Sequence, residues 1–509
     1  MKVLFIMRNQ AYMRNYESTL IALAQRNHQI QIRFNDSKDN DRLVESLSQQ
    51  FPQITYSYEV LPRRNDLWKS LLRLIRAIRD YLTYLSPEYA QAKKLRKRVE
   101  ETLGWLGVSL IPIIKLISLL PQNIGLNLIK QIIDIIERII PIDKTISTVL
   151  ERENPDLILI TPLVDFDCVQ RDYLKAAKSL GIYCILCVHS WDNLTNKGSI
   201  HIHPDRVLLW NKIQKQEAIE IHDIEPKKVI VTGAQCYDKW FERKPSISKK
   251  EFLEKAGLKE ENDYLLYLCS SPFIAPDEVS FVRELLAKIR KAEHPKIRKI
   301  GLLIRPHPQN ATQWNEVEFA RENNAVIWPR GGQNPVTEEA RANFYDSLYY
   351  SVSAIGINTS AMIEAGILGK PVYSILDSRF KDTQEGTLHF HHLIRGGLLQ
   401  MSASIEEFIG QLTLMLEDDR HQYQDKIKHF INEFVRPYGL ETPCTPIVVK
   451  SIEEIEAIAT SNAESIPLWN YGFRAILFPF ALILQGLEYS YKKIKGVYSR
   501  AIPKSKIAA

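Results

Sequence analysis

Two short stretches carry side chains suited to holding an anion. Ser351 to Pro371, SVSAIGINTSAMIEAGILGKP, reads as an apolar strand, a sharp turn at Asn358-Thr359-Ser360 and a helix from about Ala361 to Leu368. A Gly369-Lys370-Pro371 stop then feeds the next strand, Val372 to Leu376. Such a strand-turn-helix leaves backbone N–H groups and the Thr359 and Ser360 hydroxyls at the helix start, where hydrogen bonding and the helix dipole both favour a phosphate. Glu364 follows one turn further in on the same face, where a carboxylate could accept from ribose hydroxyls. The simpler alternative makes Thr359 or Ser360 an N-cap and Glu364 a surface charge. The second stretch is Lys299 to Ile304, β-rich, with Arg305-Pro306-His307-Pro308 directly after it. Arg305 and His307 therefore emerge at the carboxyl end of a strand, the edge where open α/β sheets bind ligands. Arginine offers a planar fork to phosphate oxygens, histidine a further donor, and the prolines fix the turn.

A third group of reactive side chains follows the strand Tyr183 to Val188. In His189-Ser190-Trp191-Asp192-Asn193-Leu194-Thr195-Asn196-Lys197-Gly198, His189 could be a general base with Asp192 its orienting partner, or Asp192 the base itself, and Lys197 could meet a phosphate. Asp165 and Asp167 follow the preceding strand and could reach the same edge. A histidine after a strand can equally be a satisfied structural donor. His201-Ile202-His203 has no matched carboxylate beside it, so no metal site is expected.

Arg-Pro-His-Pro followed by GINTSAMIEAGILGKPV resembles the donor-binding half of GT-B glycosyltransferases, in particular bacterial surface-polysaccharide enzymes. The Arg-x-His-Pro run is also similar to that of capsule, sialyl and glycerophosphate transferases that use CMP or CDP donors. The resemblance implies an α/β fold of two Rossmann-like domains facing a cleft, here with a helical insertion and a C-terminal amphipathic helix. It implies a nucleotide-sugar donor whose phosphates meet Arg305, His307, Asn358, Thr359 and Ser360 and whose ribose meets Glu364, with Trp328 and Arg330 near the base. Ser270 and Ser271, after the strand Tyr264 to Cys269, suit a turn near the donor or are simply turn formers. Downstream, Gln384 and Glu385 could contact sugar hydroxyls, and Thr387 or His389 a phosphate. The implied activity is transfer of a sugar to a glycan or lipid-linked acceptor without a cofactor or metal. Alternatives are a CMP- or CDP-linked glycerophosphate, sialyl or Kdo-like transferase, a sugar epimerase of the same fold, and a non-catalytic nucleotide-binding scaffold.

The elements that must position these groups follow an α/β rhythm. A βαβ opening (Val3 to Met7, a helix from about Tyr16 to Arg26, Gln29 to Phe34) lacks G-x-G-x-x-G, so its loop at Arg8 to Tyr12 is expected to face the acceptor or the cleft rather than a dinucleotide. With 509 residues, two domains and extras are natural: 1–236 with a helical insertion at about 62–145, a linker at 237–262, the donor domain at 263–415, closing helices at 416–460 and a tail at 461–509. The net charge of +6 is compatible with an anionic substrate or surface, and no compact basic-aromatic module points to nucleic acid. Six scattered cysteines suggest a reducing, cytoplasmic setting; Cys184 and Cys187 should point to opposite faces of one strand.

Two regions suggest a membrane surface. Arg73, Arg76 and Arg79 line one side of a helical run near Lys93, Lys94, Arg96, Lys97 and Arg98, a solvated face or a surface for anionic lipid. Trp105 to Leu120 is apolar but interrupted by Pro112 and Lys115, short of the ~20 residues that cross a bilayer, and Leu126 to Ile140 continues in helical pattern. The pair reads as an interfacial hairpin or as core. At 466–500, an aromatic-rich apolar run interrupted by Arg474 and Pro479 precedes Lys492, Lys493, Lys495 and Arg500. It reads as a peripheral anchor on the inner face of the plasma membrane, or as a helix docked on the protein itself.

Overall fold

The near-continuous apolar runs of the strands bury both their faces, which demands a parallel sheet covered on two sides. A computed structural model describes residues 1–36, 43–118, 124–417, 421–454 and 467–501. The first sheet comprises β1 (Lys2–Met7), β2 (Gln29–Phe34), β3 (Ile54–Ser57), β4 (Leu157–Thr161), β5 (Tyr183–Cys187), β6 (Arg206–Leu209) and β7 (Val229–Val231). Its strands are all parallel in the order β3-β2-β1-β4-β5-β6-β7. The second comprises β8 (Tyr264–Leu268), β9 (Gly301–Arg305), β10 (Ala325–Ile327), β11 (Ser353–Gly356), β12 (Val372–Ile375) and β13 (Leu399–Ser402), parallel in the order β10-β9-β8-β11-β12-β13. Both sheets start in the middle, run to one edge and return to the other, so each has a switch point, at β1/β4 and at β8/β11.

Alternation along β5 sends Cys184 into the core under one face of the first sheet and Cys187 into the core under the other, as expected. The edge strands β3 and β13 are four residues each and carry no long apolar run. The 237–262 segment is not a bare linker: it holds the helices Asp238–Glu242 and Lys249–Ala256, the latter closed by a Ser248–Glu251 capping box and packed by Phe252 and Leu253 on the second sheet's core. The expected boundary at 461 lies outside the described residues.

The insertion departs from expectation in two ways. Arg76 and Arg79, on the Lys69–Thr83 helix, are buried. Arg76 Nη2 meets Glu137 at 2.8 Å and Asp172 at 2.9 Å, while Arg79 meets Asp134 at 3.3 Å and Asp223 at 3.2 Å. The Ile124–Ile139 helix supplies Asp134 and Glu137, the Gln170–Ser179 helix Asp172 and the loop after the Lys212–Glu220 helix Asp223, and of the three arginines only Arg73 stays exposed. The Gly104–Ser118 helix, moreover, continues past Pro112.

After the second sheet, the His421–Phe434 helix packs on that domain through Ile427, Phe430 and Ile431, and the Thr445–Glu453 helix returns to the first through Val448, Val449 and Ile452. The crossing is tied at Asp238. Its buried carboxylate accepts from Arg436 Nη2 (3.0 Å), the Cys444 and Thr445 N–H groups (2.9 and 2.7 Å) and Thr445 Oγ1 (2.7 Å). Gly233, with φ +82°, lets the returning chain approach so closely that a Cβ there would overlap Cys444 Sγ. Removing the carboxylate in Asp238→Ala leaves Arg436 buried without its counter-ion. Urea denaturation should show a loss of about 3–5 kcal/mol, against a few tenths for Arg73→Ala.

Candidate active site

The register of the second sheet decides which loops meet. Leu268 at the end of β8 pairs with Arg305 of β9 on one side and Gly356 of β11 on the other. The loops after β9 and β11 therefore flank the end of β8, roughly 10 Å apart at two strand spacings. Opposite them stand the segment after β1 and the loop after β5. A cavity of 340 Å³ lies between, lined from the second sheet by Arg305, His307, Thr359, Ser360 and Glu364, and from the first by Arg14, His189 and Ser190.

Each of these groups is held in a defined way. Arg305 is buried, its guanidinium 4.8 Å from the Phe344 ring centroid and 5.8 Å from that of Trp328, and its Nη1 and Nη2 have no hydrogen-bond partner among the described residues. Burial pulls its pKa down to about 9, against the opposing pull of Glu364. His307 Nδ1 accepts the Gln309 N–H at 3.1 Å, which assigns the ring proton to Nε2. Burial, reinforced by Arg14, lowers its pKa to about 4, so it is a neutral N–H donor at physiological pH. Ser360 Oγ accepts from Trp191 Nε1 at 3.1 Å, tying the β11 loop to the β5 loop across the cleft. Burial raises the Glu364 carboxyl to about 7, with Arg14 and Arg305 pulling the other way.

Arg14 is the residue that sequence reasoning passed over. It is exposed on the short helical turn Gln10–Asn15 after β1, makes no ion pair among the described residues, and acts electrostatically on Glu364, His307 and His189. Its only sequence signal is its place in the Arg8 to Asn15 loop after β1, of which the Arg8 to Tyr12 stretch is expected to face the acceptor or the cleft.

On the first-sheet side His189 lies edge-on to Tyr12, ring centroids 4.5 Å apart, with Nδ1 unpartnered. Burial, helped by Lys197, holds it well below the ordinary histidine range. Asp192 does not orient it: its oxygens accept from Ser190 Oγ (2.5 Å) and Asn196 Nδ2 (2.6 Å), and it does not line the cavity. Burial would raise the Asp192 carboxyl, but His389, Lys197 and those two hydrogen bonds take it below its usual value. Lys197 instead pairs with Asp165 at 2.8 Å, alongside Arg8 at 2.8 Å. Among the described residues no group of three His, Cys, Asp or Glu side chains is arranged to hold a metal ion.

Several expected contacts are spent inside the protein. The Gln384 amide is wholly buried and donates to Ile375 O at 2.9 Å and Ser374 Oγ at 3.2 Å, so it faces no sugar. Arg330 Nη1 donates to the carbonyls of Trp314, Asn315 and Val317. Asn358 Nδ2 donates to Thr383 O at 2.8 Å, and Thr387 Oγ1 to Gln384 O at 3.0 Å. The Ser270 N–H meets buried Glu278, while Ser270 Oγ accepts the Asn358 N–H. Ser271 O closes a turn to Ile274, Trp328 packs edge-on to Phe252, and the Glu385 carbonyl accepts from His391. His389 is buried behind Trp191, ring centroids 4.8 Å apart. These residues brace the loops whose tips reach the cavity.

No protein-family model matches the sequence, and no curated protein does. Among solved structures, the S. aureus MnaA–UDP complex is 11% identical over 92% of this chain and 100% of its own, with a TM-score of 0.50. Methanocaldococcus jannaschii UDP-GlcNAc 2-epimerase in complex with UDP-GlcNAc and UDP is 13% identical over 89% of this chain and 99% of its own, at 0.49. A glycosyltransferase from Rickettsia africae ESF-5 is 11% identical over 91% and 99%, at 0.48. The chain has the GT-B fold. At these identities the likeness extends to architecture, two Rossmann-like domains facing a cleft, and the site rests on its own geometry.

A carboxyl whose folded pKa is raised stabilises the fold below its unfolded value and loses that stabilisation as pH rises through the folded one. Glu364, ordinarily near 4.5 and here near 7, should thus weaken the fold between those values. Glu364→Gln should match the parent in urea melts near pH 4 and exceed it by about 3 kcal/mol at pH 8. A difference that stays constant with pH would contradict the burial of this carboxyl.

Proposed function

We propose that the protein is a GT-B glycosyltransferase that moves a sugar from a nucleotide-sugar donor to a glycan or lipid-linked acceptor, without a metal ion, in surface-polysaccharide synthesis. The observation that carries this reading is the single cavity in which Arg305, His307, Thr359, Ser360 and Glu364 face Arg14 and His189 across two sheet edges.

When the bond between sugar and diphosphate breaks, negative charge grows on the leaving oxygens, and preset donors there lower the barrier most. Arg305 supplies unpartnered guanidinium nitrogens that stay protonated at neutral pH; His307 adds a neutral Nε2–H, and Thr359 and Ser360 add hydroxyls. Arg14 adds a charge from the opposite wall. In this reading fixed side-chain charge does what a metal ion does in other transferases. Glu364, close enough to Arg305 and Arg14 to feel both, is the acceptor for ribose hydroxyls. His189, neutral and on the opposite wall, is the base for the acceptor hydroxyl.

A thermal-shift panel of UDP, CDP and CMP compounds should find one class that raises the melting temperature. UDP compounds head the panel because a protein of this fold, S. aureus MnaA, is solved with UDP. His307→Ala and Arg305→Ala should each lower kcat about 10²–10³-fold, Arg14→Ala less, and EDTA should leave turnover unchanged. Full turnover by His307→Ala would sink the reading. A new sugar nucleotide formed without any acceptor would make the enzyme an epimerase, transfer of a glycerophosphate would make it a CDP-linked transferase, and nucleotide binding without any turnover would leave a scaffold.

A further inference from the structure

Three helices on one flank are apolar on two opposite faces. The Gly104–Ser118, Ile124–Ile139 and Trp469–Ala501 helices bury Ile114, Leu126, Ile133 and Ala481 in the core that also holds Trp68 and Tyr81. Their far sides are exposed: Leu116 by 69%, Leu128 by 53%, Ile132 by 48%, Phe480 by 60% and Ile483 by 59%. A helix between a core and water carries polar residues on its outer side. These do not. The three sit together, with Arg474 Nε donating to Ile139 O at 2.7 Å near one end of the long helix and the Trp105 and Tyr491 rings 6.3 Å apart towards the other.

Charge placement names the occupant. Between Trp469 and Tyr491 the only charged residues are Arg474 and Glu488, and both turn inward, Arg474 to that carbonyl and Glu488 to Ser70 Oγ (2.6 Å) and Arg73 (3.1 Å). The outer side is thus free of charge over roughly 30 Å of helix. Exposed Trp469 and Tyr471 stand at one end and Tyr489, Tyr491 and Trp105 at the other, the rings that settle at a membrane–water boundary. Exposed Lys69 flanks the long helix beside the Arg73–Glu488 pair, and Lys492-Lys493 follows the apolar stretch within that helix. A second copy would bring like-charged rims together, whereas anionic headgroups match them. Among the described residues no helix is long and apolar enough to cross a membrane, and an uncharged face between aromatic ends suits helices that lie along a leaflet.

We propose that these three helices form one docking face that beds in the leaflet of an anionic phospholipid bilayer, the insertion contributing as well as the tail. This does not rest on the reading of the cleft, and its test needs no nucleotide.

The full chain is floated with vesicles of phosphatidylcholine, with and without phosphatidylglycerol. It should rise with the anionic vesicles and detach as salt is raised. Leu128→Glu/Ile132→Glu on one helix and Phe480→Glu/Ile483→Glu on another should each cut partitioning about tenfold or more, with unchanged circular dichroism and melting temperature. Two pairs on separate helices keep the test open should one fail to fold. No flotation of the parent chain would overturn the proposal. So would parental binding by the Leu128/Ile132 pair, which leaves only a tail anchor, or a dimer in sedimentation equilibrium that the pairs dissociate without any vesicle binding.

Discussion

The buried carboxylate of Asp238 sits where the chain passes between its two sheets in both directions. Two domains with separate cores are free to hinge unless something holds them. Here four donors from the returning strand of chain converge on one side chain, and Gly233 allows that strand to lie flush against the outgoing one. The core is continuous through the junction, with Trp191, Trp210 and Tyr237 of the first half packed with Met362, Phe390 and Phe434 of the second. Glu17, bound to Lys239 and to Arg341 at 2.9 Å each, and His392, bound to Glu217 at 2.5 Å, add ties at the cleft. The cavity draws its walls from both sheets, so its shape is as firm as this junction.

The same residue type meets two fates in the molecule. Where the insertion packs on the first domain, buried Arg76 and Arg171 are neutralised by Glu137, Asp172 and Asp80, and their charge is consumed by the fold. In the cleft, Arg305 is desolvated yet keeps unpartnered nitrogens, and the Glu364 carboxyl is lifted towards neutrality. Burying a charge without a full set of partners costs stability. A ligand that brings its own anionic oxygens and hydroxyls recovers part of that cost, which turns an unfavourable feature of the empty fold into affinity and selectivity.

The flank opposite in character to the cleft follows the same accounting of polar groups. The long C-terminal helix has two charged side chains in its apolar stretch and turns both towards the protein, where a carbonyl and a hydroxyl receive them. In a water-exposed helix the reverse orientation would be favoured. Prolines 112 and 479 lie inside these helices without ending them, since neighbouring helices hold the segments in place.

Residue order alone was enough for the alternation of strands and helices, for two parallel sheets, and for Arg305, His307, Thr359 and Ser360 at carboxyl ends of strands. Apolar runs, turn residues and the handedness of βαβ crossovers are local properties that a chain carries with it. The short edge strands β3 and β13 lacked such a run and escaped notice. Tertiary structure alone decided that Arg14 faces Glu364, that Asp192 serves Ser190 and Asn196 rather than His189, that Gln384 and Arg330 brace backbone, and that Arg76 and Arg79 lie inside. These outcomes depend on which distant segment covers a side chain and supplies its partner, and no spacing within a helix or strand encodes that.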